Sequence, residues 1–223
     1  MNPFRGRAFG LFAFDLDGTL IDSIEDIAAS LNAVRAAHSL PPLPEAAVRG
    51  AVGAGARALL ERTTAAELPA DVGVDALYPE LLAAYRVYCA RDPRLYPGAR
   101  EFLIRADASG VRLAIVTNKP LEIAMLTLRA AALDPLFTRI MAPENAPRKP
   151  DPSGLLALLE ELAVGRDAAV LFGDSAADFA TGSAAGVTTI GLRGGYDTPG
   201  GPEPDVWADD WAMVRGWWDS RGA

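Results

Sequence analysis

The first strong pattern along the chain is a compact apolar run, Phe9 to Phe14, that stops at Asp15. It is too short for a helix and predicts a strand buried on both faces. The polar loop Asp15-Leu16-Asp17-Gly18-Thr19-Leu20 follows. Ser23 then stands as an N-cap, with Glu25 and Asp26 in the first turn, where the helix dipole favours acid. This helix is predicted to reach about Ala37, ahead of the Pro-rich stretch Ser39 to Pro44. From Glu45 to Arg91 only helical spacing appears, first in Val48, Val52, Leu59 and Leu60, then in Leu77, Leu81, Leu82, Tyr85 and Tyr88.

After Tyr96-Pro97-Gly98 the pattern changes to alternating strands and helices. Strands are predicted at Val111 to Thr117, Phe137 to Met141, Ala168 to Gly173 and Val187 to Leu192. Helices are predicted from Pro120 to about Ala132, from Pro152 to Val164 and from Ser175 to Ala185. Gly194 to Pro204 reads as loop, and Trp207 to Trp218 as a closing helix. This is the α/β pattern of a parallel sheet with helices on both faces. A helical insertion of roughly 70 residues, longer than an ordinary loop, leaves just after the first strand. That is the carboxyl edge of the sheet, where open α/β folds bind ligands. The expected organisation is a core of residues 1–22 and 93–223 with an α-helical cap of residues 23–92.

Composition narrows the function. The 223 residues are half hydrophobic and 22% charged, as in an ordinary globular chain. Twenty-one basic against 29 acidic residues give a net charge of −8, a poor match for nucleic acid. Any phosphate site must therefore be locally positive or use a metal. Cys89 is the one cysteine and His38 the one histidine, so zinc sites built from several such ligands fail. A reducing cytoplasm is the expected setting. No stretch approaches the length of a membrane span. Asp15 and Asp17 interrupt the apolar run after Arg5 and Arg7, so no signal peptide is expected.

Polar residues cluster at the predicted strand ends: Asp15 and Asp17, then Thr117, Asn118 and Lys119, then Gly173, Asp174 and Ser175, with Asp178 one turn on. Lys149 sits in the Pro-bounded loop Arg148-Lys149-Pro150-Asp151-Pro152. Asp15, Asp17 and Asp174 offer hard oxygen ligands that suit Mg²⁺. Any one of these aspartates alone reads as a helix cap; all of them together with a lysine and a threonine do not. An aspartate can attack phosphorus, a second acid can serve the leaving oxygen and then water, and a lysine and a hydroxyl can neutralise the transferring group. Asp15, Asp17, Lys149 and Thr117 fit those roles.

The chain resembles the haloacid dehalogenase superfamily in four motifs, in order: Asp15-Leu16-Asp17-Gly18-Thr19-Leu20, Thr117-Asn118-Lys119-Pro120, Lys149-Pro150 and Gly173-Asp174-Ser175-Ala176-Ala177-Asp178. The resemblance implies a Rossmann-like core with a helical cap. It implies Asp15 as nucleophile, Asp17 as general acid/base, and Mg²⁺ held by Asp15, the carbonyl of Asp17 and Asp174. Thr117 and Lys149 would hold the phosphoryl group, Asp178 would support Lys149 or the metal's water, and Asn118 would add a phosphate contact. Dehalogenases and phosphonatases lack an acid at the position of Asp17, and the latter use a cap lysine; Glu45 to Arg91 contains none.

Within the superfamily, three stretches resemble the phosphoglycolate phosphatase branch: Val48-Arg49-Gly50 through Val52-Gly53-Ala54-Gly55-Ala56-Arg57, Leu95-Tyr96-Pro97-Gly98, and Ala114 to Pro120. The Gly53–Gly55 loop is either an anion-binding helix start or a plain turn. Arg49 and Arg57 are either substrate contacts or solvated surface. The expected activity is Mg²⁺-dependent hydrolysis of a small phosphate monoester by a monomer or homodimer. The alternatives are an amino-sugar phosphate phosphatase, such as one for N-acetylmuramic acid 6-phosphate, a phosphomutase, and a non-catalytic binding protein. His38 reads as surface, Cys89 as packing, and the tryptophans as packing for the last helix or a dimer contact.

Overall fold

A computed structural model describes residues 2–69, 72–89, 91–196 and 201–222. Residues 197–200 of the predicted Gly194–Pro204 loop lie outside the described residues. The chain runs β1 (Leu11–Phe14), β2 (Ile21–Asp22), α1 (Ile24–Ala37), α2 (Glu45–Arg49), α3 (Ala56–Thr63) and α4 (Val74–Tyr88). It continues β3 (Arg94–Leu95), α5 (Ala99–Ala108), β4 (Arg112–Val116), α6 (Leu121–Ala130), β5 (Phe137–Met141) and α7 (Ser153–Glu161). It closes with β6 (Ala169–Gly173), α8 (Ala176–Ala185), β7 (Thr188–Leu192), β8 (Val206–Ala208) and α9 (Trp211–Asp219).

Six strands form one parallel sheet in the order β5-β4-β1-β6-β7-β8. β1 is central, and all four of its side chains are fully buried. The two-residue period of a strand sends Phe12 and Phe14 to one face and Leu11 and Ala13 to the other. Phe12 and Phe14 meet Phe102, Phe172, Trp211 and Trp218, and Phe14 stacks on its register partner Phe172 at 4.8 Å. Leu11 and Ala13 meet Leu155, Leu158, Leu171 and Ala185 beneath α7 and α8. Burial on both faces explains why the strand reads as an unbroken apolar run.

The helices α1 to α4 build a third apolar cluster around Leu31, Val48, Leu59, Leu60, Leu77 and Leu81, joined from the core by Ile123 and Tyr196. Within it lies a buried cation. Arg35 is fully buried and donates to Pro41 O at 2.9 Å, Thr63 O at 2.6 Å and the Glu67 carboxylate at 3.0 Å. The chain leaves and rejoins the core through an antiparallel ribbon, β2 against β3, which pairs Ile21 with Leu95 and Asp22 with Arg94.

Three local expectations change. The β2–β3 ribbon is too short to show any periodicity in sequence. Trp207 lies in an edge strand, β8, and the last helix begins only at Trp211. Ser23 precedes α1 but makes no capping bond; its hydroxyl donates to Asp17 Oδ1 at 2.6 Å instead. Cys89 is buried in the insert's apolar cluster, and Trp211 and Trp218 pack in the core. Among the described residues no helix is long and apolar enough to cross a membrane.

Candidate active site

The carboxyl ends of β1, β4 and β6 lie side by side, which brings the polar residues that follow them to one edge. Asp15 continues the ladder, its N–H donating to Phe172 O at 2.9 Å. The next residues turn back, with Leu20 and Ile21 both donating to Leu16 O at 3.0 Å. Gly18 permits this turn. Its φ is +86°, and a Cβ there would stand 2.3 Å from Asp174 Oδ2. The turn places Thr19, whose hydroxyl donates to Asp174 Oδ1 at 2.7 Å, while the N–H of Tyr196 donates to Oδ2 at 2.7 Å.

Two lysine–aspartate systems organise the floor. Lys149 Nζ sits 2.8 Å from Asp15 Oδ1 and 2.6 Å from Asp178 Oδ1. Asp178 Oδ2 accepts from the backbone N–H and hydroxyl of Ser175 at 3.1 and 2.6 Å. The carboxylate thus closes the first turn of α8 and also contacts the Lys149 ammonium. Lys119 Nζ binds both oxygens of Asp17, at 2.8 and 3.0 Å, beneath the ring of Tyr85. Thr117 is buried between them, its hydroxyl accepting from the Lys119 N–H at 3.1 Å.

Burial sets the electrostatics. Desolvation pushes the Asp15 carboxyl up to about 6, against the opposing pull of Lys149. Asp174 lies well above the usual carboxylate range, again from burial, reinforced by Asp15 and Asp178. Burial alone would lower the Lys149 ammonium, but its two carboxylate partners more than offset this and raise it. Asp15, Asp174 and Asp178 each bring a carboxylate oxygen within 4.8 Å of the others. Asp15 Oδ1 is buried against the Lys149 ammonium at 2.8 Å and has no further partner among the described residues. Hard oxygens crowded in this way fit a divalent cation.

Above this floor is a cavity of about 70 Å³. Its polar side is Asp15, Asp17, Thr117, Lys119 and Asp174; its roof is Ile27, Val52, Gly53, Gly55, Ala56, Leu59 and Tyr85 from the helical insert and its approach. The sequence model of the haloacid dehalogenase-like hydrolases matches residues 12–192. The chain belongs to this family. It is 39% identical over 215 residues to a phosphoglycolate phosphatase of Rhodospirillum rubrum, covering 92% of this chain and 88% of that one. It is 34% identical to an N-acetylmuramic acid 6-phosphate phosphatase of Pseudomonas aeruginosa, covering 88% and 87%. The crystal structure of a predicted phosphoglycolate phosphatase from Haemophilus somnus superposes with a TM-score of 0.87 at 31% identity, over 95% of this chain and 98% of that one.

This haloacid dehalogenase-like chain gathers Asp15, Asp17, Thr117, Lys149, Asp174 and Asp178 at one edge. Gly53 and Gly55 line the cavity with φ of +115° and +93°. The other candidate contacts have protein partners, and Asn118 also lines the cavity. The Asn118 carboxamide is bonded to Gly53 O and to the backbone of Lys149. Arg49 stacks over the Tyr196 ring at 4.9 Å and pairs with Glu45. Arg57 pairs with Asp75 and covers Tyr78, away from the floor. Sequence reasoning passed over Thr19, Lys119 and Tyr196 as site residues. Lys119 had a signal: the chain has two lysines only, and both stand here. Thr19 stood in the first motif with no role assigned, and Tyr196 had no signal, because their partner Asp174 is far away in sequence.

Proposed function

We propose that this family member hydrolyses a small phosphate monoester through a phosphoaspartyl intermediate on Asp15. The observation that carries the reading is the geometry of the floor: a buried carboxylate, Asp15, held by Lys149 and facing the same cavity as Asp17 and Asp174.

An Asp15 oxygen forms a bond to phosphorus as the bond to the ester oxygen breaks. Asp17, protonated when its pair with Lys119 opens, gives that proton to the departing alkoxide. It then takes a proton from water, whose oxygen attacks the same phosphorus and frees Asp15 and inorganic phosphate. Lys149 and Thr117 neutralise the equatorial oxygens. Lys119 and Ser23 hold Asp17 in place. Mg²⁺, held by Asp15, Asp174 and the carbonyl of Asp17, would supply the charge that lets an anionic ester approach a carboxylate. Residues 23–92 act as a cap that roofs the cleft and keeps bulk water out.

The R. rubrum relative and the small cavity support a short leaving group such as glycolate. The P. aeruginosa relative supports a second reading, an amino-sugar phosphate. Phosphate release from 2-phosphoglycolate and N-acetylmuramic acid 6-phosphate, with and without chelator, separates them. The expected result is chelator-sensitive release that favours 2-phosphoglycolate. Release unaffected by chelator, or none from any phosphomonoester, contradicts the proposal; transfer dependent on a bisphosphate activator would mark a mutase.

A further inference from the structure

We propose that Asn118 is a positioning residue that ties closure of the helical insert to the placement of Lys149. The proposal rests on the phosphatase reading for its kinetic consequence, though not for its structural one.

A carboxamide offers two N–H donors and one acceptor oxygen. Asn118 is buried, and all three functions are engaged. Its oxygen accepts the Lys149 N–H at 2.9 Å and its nitrogen donates to Lys149 O at 3.1 Å, so it pairs with that residue as a neighbouring strand would. The same nitrogen donates to Gly53 O at 2.9 Å, across the cavity in the insert. The loop lies close on the core here: a Cβ on Gly55 would stand 2.9 Å from Asn118 O. One side chain therefore bonds the roof of the cavity and the peptide whose ammonium reaches Asp15 and Asp178. Lifting the loop frees one carboxamide donor and loosens the orientation of the group that holds Lys149. Bringing the loop down restores both. Lys149 is thus most firmly placed when the cavity is covered, which is when a transferring phosphoryl group needs it.

Two substitutions test the tie from opposite ends. Asn118→Asp keeps an acceptor for the Lys149 N–H and removes both donors. Gly53→Ala adds a methyl that meets nothing within 4 Å, but a φ of +115° does not suit it, so the accepting carbonyl turns away. The readout is hydrogen exchange in the whole protein, alone and with Mg²⁺ and inorganic phosphate. Asn118→Asp is expected to speed exchange across residues 51–60 about fivefold, with β1 and β6 unchanged. Gly53→Ala is expected to speed exchange at Lys149, a core amide it does not touch. In turnover, the double variant is expected to be no worse than the poorer single variant.

Wild-type exchange in residues 51–60 of Asn118→Asp overturns the proposal. So does unchanged exchange at Lys149 in Gly53→Ala, which also decides the matter if Asn118→Asp does not fold. Losses in turnover that multiply would likewise show two independent roles. If the wild-type protein cleaves no phosphate ester, the proposed function fails while the exchange comparison still decides the tie.

Discussion

Asp15 lies buried at the sheet edge between the Lys149 ammonium and the carboxylates of Asp174 and Asp178. Its carboxyl in the metal-free protein holds its proton up to about pH 6, because burial outweighs the pull of Lys149. A raised carboxyl binds its proton more tightly folded than unfolded, so its contribution to stability is full below the unfolded value and is lost as pH rises through about 6. A divalent ion competes with that proton. Because Asp174 is raised as well, Mg²⁺ titrations followed by thermal shift are expected to show apparent affinity falling by at least about tenfold per unit below about pH 6; a flat profile contradicts this. Gly18 makes a second residue-scale prediction. Gly18→Ala places a methyl against Asp174 where φ is already +86°, and is expected to weaken Mg²⁺ binding more than about tenfold. Calorimetric titration checks it. Cys89 is buried with its thiol pushed up to about 11 by desolvation, so a thiol-specific reagent is expected to label it only after unfolding.

The elements divide by what sequence can show. β1 and the loop after it were legible because their signals are local: an unbroken apolar run, then carboxylates and a glycine within a few residues. The four strands predicted after residue 96 are present as β4, β5, β6 and β7. The β2–β3 ribbon and β8 were not legible, since two- and three-residue strands carry no period and exist only through their partners. Ser23 misled because an N-cap and a hydrogen-bond donor to Asp17 look alike until the fold is known. The side-chain partners of Asn118, Gly53 and Lys149, were not legible, because they are supplied by the insert and by a distant loop. In the insert itself, Arg35 bridges α1 to Pro41, ahead of α2, and to Thr63 and Glu67 at and beyond the end of α3. Arg35→Met would remove its bonds to the Pro41 and Thr63 carbonyls and to Glu67, and is expected to cost about 1–3 kcal/mol. Chemical denaturation measures this, and a loss under about 0.5 kcal/mol would show the bridge to be incidental.

At the scale of the molecule, an acidic chain must still bind an anionic ester. Net charge is −8, and both lysines are placed inside the one cleft rather than on the surface. The sheet brings those lysines to the carboxylates that neutralise them, and the insert covers the result. That division explains why the residues gathered at the edge were readable from four short motifs, while the leaving group was not: the roof is made of small and apolar residues such as Val52, Gly53 and Ala56, whose pattern marks packing as much as recognition. The central claim is that phosphorus is carried on Asp15, and covalent trapping tests it most directly. The protein is mixed with 2-phosphoglycolate and Mg²⁺, quenched in acid within the first turnover, reduced with borohydride and mapped by mass spectrometry. Conversion of Asp15 to homoserine, and its absence in Asp15→Asn, is the predicted result. Reduction at another carboxylate, or unmodified Asp15 alongside a full burst of product, would contradict it.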